Sequence, residues 1–112
     1  MPTIIASFGF RHGKPRLELG AICLDVRKIL PKNPYHNRAL RQLRGDDLAV
    51  IAELEATPGM EQAYHALRES LRKHPGAIYL GCTGGHHRSV YIANRLANDL
   101  ECDVIHLNYT DK

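Results

Sequence analysis

Residues 77–97 read AIYLGCTGGHHRSVYIANRLA, and this stretch decides the fold. The apolar run from Ala77 to Leu80 predicts a β-strand, and the run from Val90 to Ala97 predicts a helix. A glycine-rich polar turn lies between them. This order predicts a phosphate-binding loop, because glycines let backbone N–H groups approach an anion and the helix start supplies unpaired N–H groups.

Two side chains of this loop add to the prediction. Arg88, early in the helix, offers a bidentate fork that suits phosphate oxygens. Cys82 is expected at the mouth of the loop, where a thiolate is stabilised. The alternative is a tight strand-to-helix turn in which Arg88 pairs with a carboxylate.

The same loop also has a spacing found in enzymes. Cys82, five further residues, Arg88 and then Ser89 resemble the loop of the tyrosine-phosphatase type. That resemblance implies a Cys82 nucleophile and an Arg88 that stabilises the transition state. The reaction also needs a general acid. The candidates for this role are Asp25, Asp46 and Asp47.

Length and composition are those of an ordinary globular protein. The chain has 112 residues, which predicts one domain over residues 1–112 with a modest core. It is 44% hydrophobic and 24% charged. The first residues lack the basic flank of a signal peptide, and no apolar run approaches the roughly 20 residues of a membrane span. We therefore expect no membrane association.

Cysteine usage indicates a reducing compartment, and the spacing of the cysteines and histidines does not indicate a metal site. Three cysteines are an odd number, and none has the CxxC spacing of a metal site, so we expect the protein in the cytoplasm. Four residues could in principle ligate a metal: His12, His36, His87 and Cys82. Their spacing resembles no zinc motif, so we expect neither a metal nor another cofactor.

Charge is small overall but unevenly distributed. The net charge is +3, and an acid-free basic series extends from Arg27 to Arg44. Its members include the candidate RNA-binding residues Lys32, Arg38, Arg41 and Arg44. Such a series fits nucleic acid or a multiply charged anion. The alternative is a solvated face that acids elsewhere balance.

Strand-like and helix-like segments alternate along the chain. Strands are predicted at residues 3–8, 19–26, 77–81 and 102–108. Helices are predicted from residues 45–47 onward, from Pro58 to about 73 with Thr57 as cap, and from about 87 to 100. This pattern predicts an α/β fold with a small, mostly parallel sheet.

Polar clusters follow three of the predicted strands, at residues 7–12, 25–27 and 81–89. The carboxyl ends of parallel strands meet at one edge of a sheet, where ligands of such folds collect. We therefore expect these three segments to form one site. Arg11, His12, Asp25 and Arg27 join the glycine-rich loop in this prediction.

Much of the chain resembles the C-terminal domain of the RapZ family of RNase adapter proteins. The most specific match comprises residues 81–85 and 87–93. Further matches are Phe8-Gly9-Phe10 with Gly13, Asp25-Val26-Arg27, and the Leu30-Pro31, Asn33-Pro34 and His36 segment. The resemblance extends from about residue 7 to residue 97.

This resemblance implies a binding domain for glucosamine-6-phosphate and structured regulatory RNA, present in a homo-oligomer. It assigns the phosphate to Thr83, Gly84, Gly85, His87, Arg88 and Ser89, beside Cys82 and near Asp25, Arg27 and His36. Family members also carry an N-terminal nucleotide-binding domain with a Walker loop, a motif that this sequence lacks, so ATP or GTP binding is not expected. We expect a non-catalytic sugar-phosphate binding domain, with a cysteine-dependent phosphatase as the alternative.

Overall fold

Four parallel strands, three α-helices and two short 3₁₀-helices, Phe10–His12 and Val26–Lys28, form the regular structure of the part of the chain that is described. The computed structural model describes residues 1–30 and 37–108. The strands are β1 Ile4–Gly9, β2 Ile22–Asp25, β3 Ile78–Cys82 and β4 Asp103–His106. The helices are α1 Leu48–Glu55, α2 Met60–Leu71 and α3 Arg88–Leu100. The sheet order is β2-β3-β1-β4, which confirms the predicted α/β fold.

The register brings the carboxyl ends of the strands to one edge of the sheet. Gly9 at the end of β1 pairs with Cys82 at the end of β3. Asp25 of β2 pairs with Gly81, on the other side of β3. We call this edge, with the residues that follow each strand, the carboxyl rim. The polar clusters predicted to converge all follow strands that end there.

The core lies between the sheet and the helices. Helix α3 packs against β1, β3 and β4, and all residues of its first six positions are buried. Helices α1 and α2 contribute apolar side chains to the same core. Its largest fully buried members are Tyr64, Phe8, Ile5, Leu30, Leu54, Met60, Ile78, Leu80, Ile92 and Leu96. This packing fixes the N-terminus of α3 at the carboxyl rim.

The start of α2 differs from the prediction. The N-cap is Gly59 and the first helical residue is Met60, so the cap expected at Thr57 is wrong. The N–H of Met60 donates to the carbonyl oxygen of Thr57 at 3.1 Å, which closes a turn before the helix begins. The Thr57 hydroxyl is buried without a hydrogen-bond partner among the described residues. None of the helices in residues 1–30 and 37–108 is long and apolar enough to cross a membrane.

Candidate functional site: an anion cradle at the carboxyl rim

The glycine-rich loop is fixed to the end of β1 by direct backbone contact. A Cβ atom on Gly9 would lie 2.4 Å from the carbonyl carbon of Gly84, and one on Gly85 would lie 2.6 Å from the nitrogen of Gly9. Gly85 also has a φ of 79°, in the left-handed region that favours glycine. The N–H of Arg11 donates to the carbonyl oxygen of Thr83 at 3.0 Å. Two backbone segments therefore touch here, with no side chain between them.

Arg27 is held firmly from the β2 side of the rim. Asp25 accepts from the backbone nitrogen and Nε of Arg27, both at 2.9 Å, and from Nη2 at 2.7 Å. The guanidinium also stacks on the ring of Phe10, 4.6 Å from its centroid. The hydrogen bond from Arg27 lowers the pKa of Asp25, and the same bond raises the pKa of Arg27. This leaves Nη1 to reach the Thr83 hydroxyl, at 3.4 Å.

Arg88, the first residue of α3, lies beneath the same threonine. Its side chain is buried, with 4% of the residue exposed. Nη1 donates to the carbonyl oxygen of Leu30 at 3.1 Å, and Nη2 donates to Oγ1 of Thr83 at 3.3 Å. Burial lowers the pKa of this guanidinium. No carboxylate within residues 1–30 and 37–108 pairs with it, so the carboxylate-pairing alternative is wrong for the described part of the chain.

Positive charge exceeds negative charge around Thr83 and Gly84. A third guanidinium, that of Arg11, has Nη2 3.7 Å from the position that a Cβ on Gly84 would take. Of the three arginines at this point, only Arg27 contacts a carboxylate of the described residues, that of Asp25. Three cations beside one anion leave a local excess of positive charge. The arrangement is therefore complementary to an anion bound at the loop.

Cys82 lies under the loop and not at its mouth, which corrects the expected position. It is the last residue of β3 and is 2% exposed. Its Sγ lies 3.2 Å from Oγ of Ser89, which is fully buried in the first turn of α3. Cys82 and Ser89, two of the predicted site residues, are thus in contact, but both are buried.

His87 faces the segment before α1. It is 6% exposed, and burial lowers its pKa, an effect that the carbonyl groups of Leu43 and Leu40 oppose. Nε2 has no hydrogen-bond partner in the described ranges. The N–H of Gly45 donates to the carbonyl oxygen of His86 at 2.7 Å, so the same segment also contacts the loop through its backbone.

The remaining predicted site residues are spread along the rim and its neighbourhood. His12 is exposed, in the turn that follows β1. Arg38 and Arg41 are exposed, whereas Arg44 is partly buried. His36 and Lys32 lie outside the described residues. Within residues 1–30 and 37–108, no group of three or more histidine, cysteine or acidic side chains is placed to hold a metal ion.

Strand β4 and the residues after it also contribute to the rim, which was not predicted from the sequence. Oδ1 of Asn108 accepts a hydrogen bond from the N–H of Gly9 at 2.6 Å. Further back, His106 connects Oγ of Ser7, at 2.5 Å, with Oδ1 of Asn94, at 2.9 Å. The available signal was positional, because the polar residues His106 and Asn108 stand at the end of the predicted last strand, as the other polar clusters stand at the ends of theirs.

Comparison with known proteins identifies the family. A family model described as the RapZ C-terminal domain matches residues 1–112. The chain belongs to the RapZ C-terminal domain family. We call Gly9, Arg11, Arg27, Arg88 and the loop residues 83–85 the cradle; all of them except Arg11 belong to the motifs that resemble the RapZ C-terminal domain.

Similar proteins share this domain within longer chains. A nucleotide-binding protein of Cupriavidus pinatubonensis is 40% identical over 108 residues, which cover 88% of this chain and 35% of that protein. A nucleotide-binding protein of Deinococcus radiodurans is 34% identical over 117 residues, covering 96% of this chain and 40% of that protein. This RapZ C-terminal domain thus spans little more than a third of these relatives.

Proposed function

We propose that this RapZ C-terminal domain binds a phosphorylated amino sugar, such as glucosamine-6-phosphate, without transforming it. The observation that supports the proposal is the convergence of two guanidinium groups, from Arg27 and Arg88, on the hydroxyl of Thr83. A third guanidinium, from Arg11, lies beside Gly84. The phosphate is the part of the ligand that these groups would bind.

Electrostatics explains why this arrangement suits a phosphate monoester. Like charges held close together repel, more strongly where the surroundings exclude water, as they do at Arg88. An anion at Thr83 relieves this repulsion and accepts from Nη1 of Arg27 and Nη2 of Arg88, the two atoms that face Thr83. A monoester carries about 1.5 to 2 negative charges near neutral pH, which matches the local excess better than a single carboxylate does.

Position at the end of two secondary structure elements supports the same site. The loop follows β3 and leads into α3, whose first N–H groups are unpaired within the helix and whose dipole is positive at this end. The curated relatives are named nucleotide-binding proteins, and a nucleoside monophosphate also carries a phosphate monoester. AMP is therefore an informative comparison ligand.

Isothermal titration tests the proposal directly. The ligands are glucosamine-6-phosphate, AMP, inorganic phosphate and unphosphorylated glucosamine, each titrated into the wild-type protein. We expect the sugar phosphate to bind more tightly than inorganic phosphate, and glucosamine to give no heat of binding. The proposal fails if no phosphorylated ligand binds, or if glucosamine binds as well as its phosphate.

One contact favours a second candidate function, that of a cysteine-dependent phosphatase. Sγ of Cys82 lies 3.2 Å from the hydroxyl of Ser89, so the cysteine and the serine of the phosphatase-type spacing are in contact. Against it, Cys82 is enclosed, and Arg27 lowers the pKa of Asp25, which makes this candidate general acid a poor proton donor. We expect no hydrolysis of p-nitrophenyl phosphate. Hydrolysis that Cys82→Ser abolishes would favour the phosphatase.

Exposed basic residues near the cradle support a proposal of RNA binding. Arg38 and Arg41 are both exposed on the segment that contacts the loop through Gly45. The logarithm of the binding constant falls linearly with the logarithm of the salt concentration. Each phosphate contact contributes about 0.9 to this slope for a duplex and about 0.7 for a single strand. We expect the double variant Arg38→Ala/Arg41→Ala to weaken binding of a structured RNA and to reduce this slope.

A matched double variant controls for the lost charge. Arg72→Ala/Lys73→Ala removes two exposed cations at the end of α2 and is expected to leave RNA binding nearly unchanged. Equal RNA affinities of the two double variants would exclude the Arg38 and Arg41 surface.

Assembly and location complete the proposal. Ile105 lies in β4, an edge strand of the described sheet, and Leu107 follows this strand; they are 43% and 46% exposed. Exposed apolar side chains on and beside an edge strand favour association, so we expect a homo-oligomer. The three free cysteines fit a reducing compartment, and we expect the protein in the cytoplasm. A monomer mass measured by light scattering throughout the micromolar range would contradict the expected homo-oligomer.

A further inference from the structure

Asn108 lies against both glycine segments that form the cradle. Its Oδ1 accepts from the N–H of Gly9 at 2.6 Å. Its Cβ is 3.1 Å from the position that a Cβ on Gly85 would take. Asn108 follows β4, whereas Arg27 follows β2, so the two residues border the loop from opposite edges of the sheet.

Hydrogen bonding determines how the Asn108 amide is oriented. The backbone N–H of Gly9 is a donor, so the atom that faces it must be the carbonyl oxygen of the amide. The Nδ2 group, with its two donors, therefore points away from Gly9. Within residues 1–30 and 37–108 this group has no hydrogen-bond partner, and Asn108 is partly exposed. The described residues therefore leave both donors unused.

The position of Asn108 along the loop shows which part of a ligand it can reach. Arg27 and Arg88 converge on Thr83, whereas Asn108 lies against Gly85, two residues further along the loop. Two residues span at most about 7 Å. A sugar attached to a phosphate at Thr83 can extend over this distance.

We infer that Asn108 is a specificity-determining residue of this site, whose Nδ2 group donates to an oxygen of the sugar. The inference rests on the proposed function, because it needs the phosphate at Thr83. Asn108 is neutral, whereas the phosphate end of the cradle is cationic, and a neutral donor suits the hydroxyl groups of a sugar. The Gly9 bond fixes the amide before the ligand arrives, so less conformational freedom is lost on binding.

Selectivity between two ligands tests this inference. Dissociation constants are measured for glucosamine-6-phosphate and for inorganic phosphate with the wild type, Asn108→Ala and Asn108→Asp. A hydrogen bond between neutral groups contributes a factor of roughly three to ten. We expect Asn108→Ala to lose sugar-phosphate affinity by that factor while its phosphate affinity changes less than twofold.

Two controls separate recognition from a structural role. Asn98→Ala changes an exposed asparagine at the far end of α3 and is expected to leave both affinities unchanged. Asn108→Asp keeps an oxygen that can accept from Gly9, so the hydrogen exchange of the Gly9 amide stays slow in this variant and becomes faster in Asn108→Ala. Asn108→Asp nevertheless loses the donors, and its sugar-phosphate affinity falls more than its phosphate affinity.

The outcomes are distinct. Parallel losses of both affinities in Asn108→Ala, or unchanged selectivity in both variants, overturn the role of Asn108 and leave the phosphate site intact. A wild-type protein that binds neither ligand overturns the proposed function, and the role of Asn108 with it.

Discussion

Arg27 and Arg88 donate to the same atom, Oγ1 of Thr83, from 3.4 and 3.3 Å. One arginine comes from the end of β2 and the other from the first turn of α3, so the contact joins elements that are distant in sequence. Both distances are long for a hydrogen bond. A phosphate oxygen next to Thr83 offers a stronger acceptor to Nη1 of Arg27 and Nη2 of Arg88, so these two arginines are the residues to substitute.

Arg27→Ala is expected to weaken phosphate binding by about tenfold, or 1.4 kcal/mol. The substitution removes a guanidinium that Asp25 and Phe10 hold in place, and it leaves the Asp25 carboxylate unpaired beside the anion. Isothermal titration with inorganic phosphate measures the change. Arg72→Ala, which removes an exposed arginine near the end of α2, is the matched control. An Arg27→Ala affinity equal to that of this control contradicts the prediction.

Arg88→Ala is expected to reduce both binding and stability. Loss of a desolvated charge from the cradle should weaken phosphate binding by about thirtyfold or more. The Leu30 carbonyl loses its buried donor, which costs about 1–3 kcal/mol in the free energy of unfolding. Arg88→Lys keeps the charge but not the fork, so we expect an intermediate phosphate affinity. Urea unfolding and phosphate titration of both variants test this, and a folded Arg88→Ala protein with wild-type affinity argues against it.

Tyr64→Phe is expected to lower the free energy of unfolding by about 0.5–1.5 kcal/mol. The Tyr64 hydroxyl donates to Oδ2 of Asp99, and burial is the main reason that its pKa is raised. This bond joins α2 to α3 under the guanidinium of Arg95, which stacks 3.9 Å from the Tyr64 ring centroid. The control is Tyr79→Phe, which removes an exposed bond to Glu18. Equal urea midpoints for the two variants would show that the buried contact adds nothing.

Stability is expected to fall as the pH drops below about 6.5, the ordinary pKa of histidine. Burial lowers the pKa values of His87 and His106 in the folded protein. Between the folded and unfolded pKa values the unfolded chain binds more protons, so the free energy of unfolding decreases as the pH falls through this window. We expect His106→Gln to show a shallower decrease between pH 7 and 5 in urea unfolding.

His65→Gln provides the comparison for the pH experiment, since His65 is exposed on α2. It should follow the wild-type decrease. If His106→Gln and His65→Gln give parallel curves, His106 does not contribute to the acid sensitivity.

Local features of this protein could be predicted from its sequence because short segments determine them. The β3–loop–α3 unit was predicted because its hydrophobic periodicity changes across a glycine-rich turn within residues 77–97. The meeting of Arg27 with the loop followed from the geometry of parallel strands. The start of α2 was predicted wrongly, because Thr57 and Pro58 resemble a helix cap although the chain makes one more turn before Met60.

Contacts that depend on tertiary packing could not be predicted in this way. Nothing near Asn108 in the sequence indicates that its side chain meets Gly9, since the contact exists only because β4 pairs with β1. The burial of Cys82 and the direction of His87 also depend on packing, in the latter case against residues 40–45. The polar side chains at the rim can thus be predicted from the sequence, whereas their burial depends on tertiary packing.

Gly45 determines how the exposed arginines are joined to the cradle. A Cβ at this position would lie 2.2 Å from the carbonyl oxygen of His87 and 2.6 Å from the nitrogen of Tyr91, both backbone atoms that cannot turn aside. The segment that carries Arg38 and Arg41 therefore packs on the first turn of α3 through direct backbone contact, with no side chain in between. A residue larger than glycine at position 45 would therefore move Arg38 and Arg41 away from α3, even though it changes no charge on the segment.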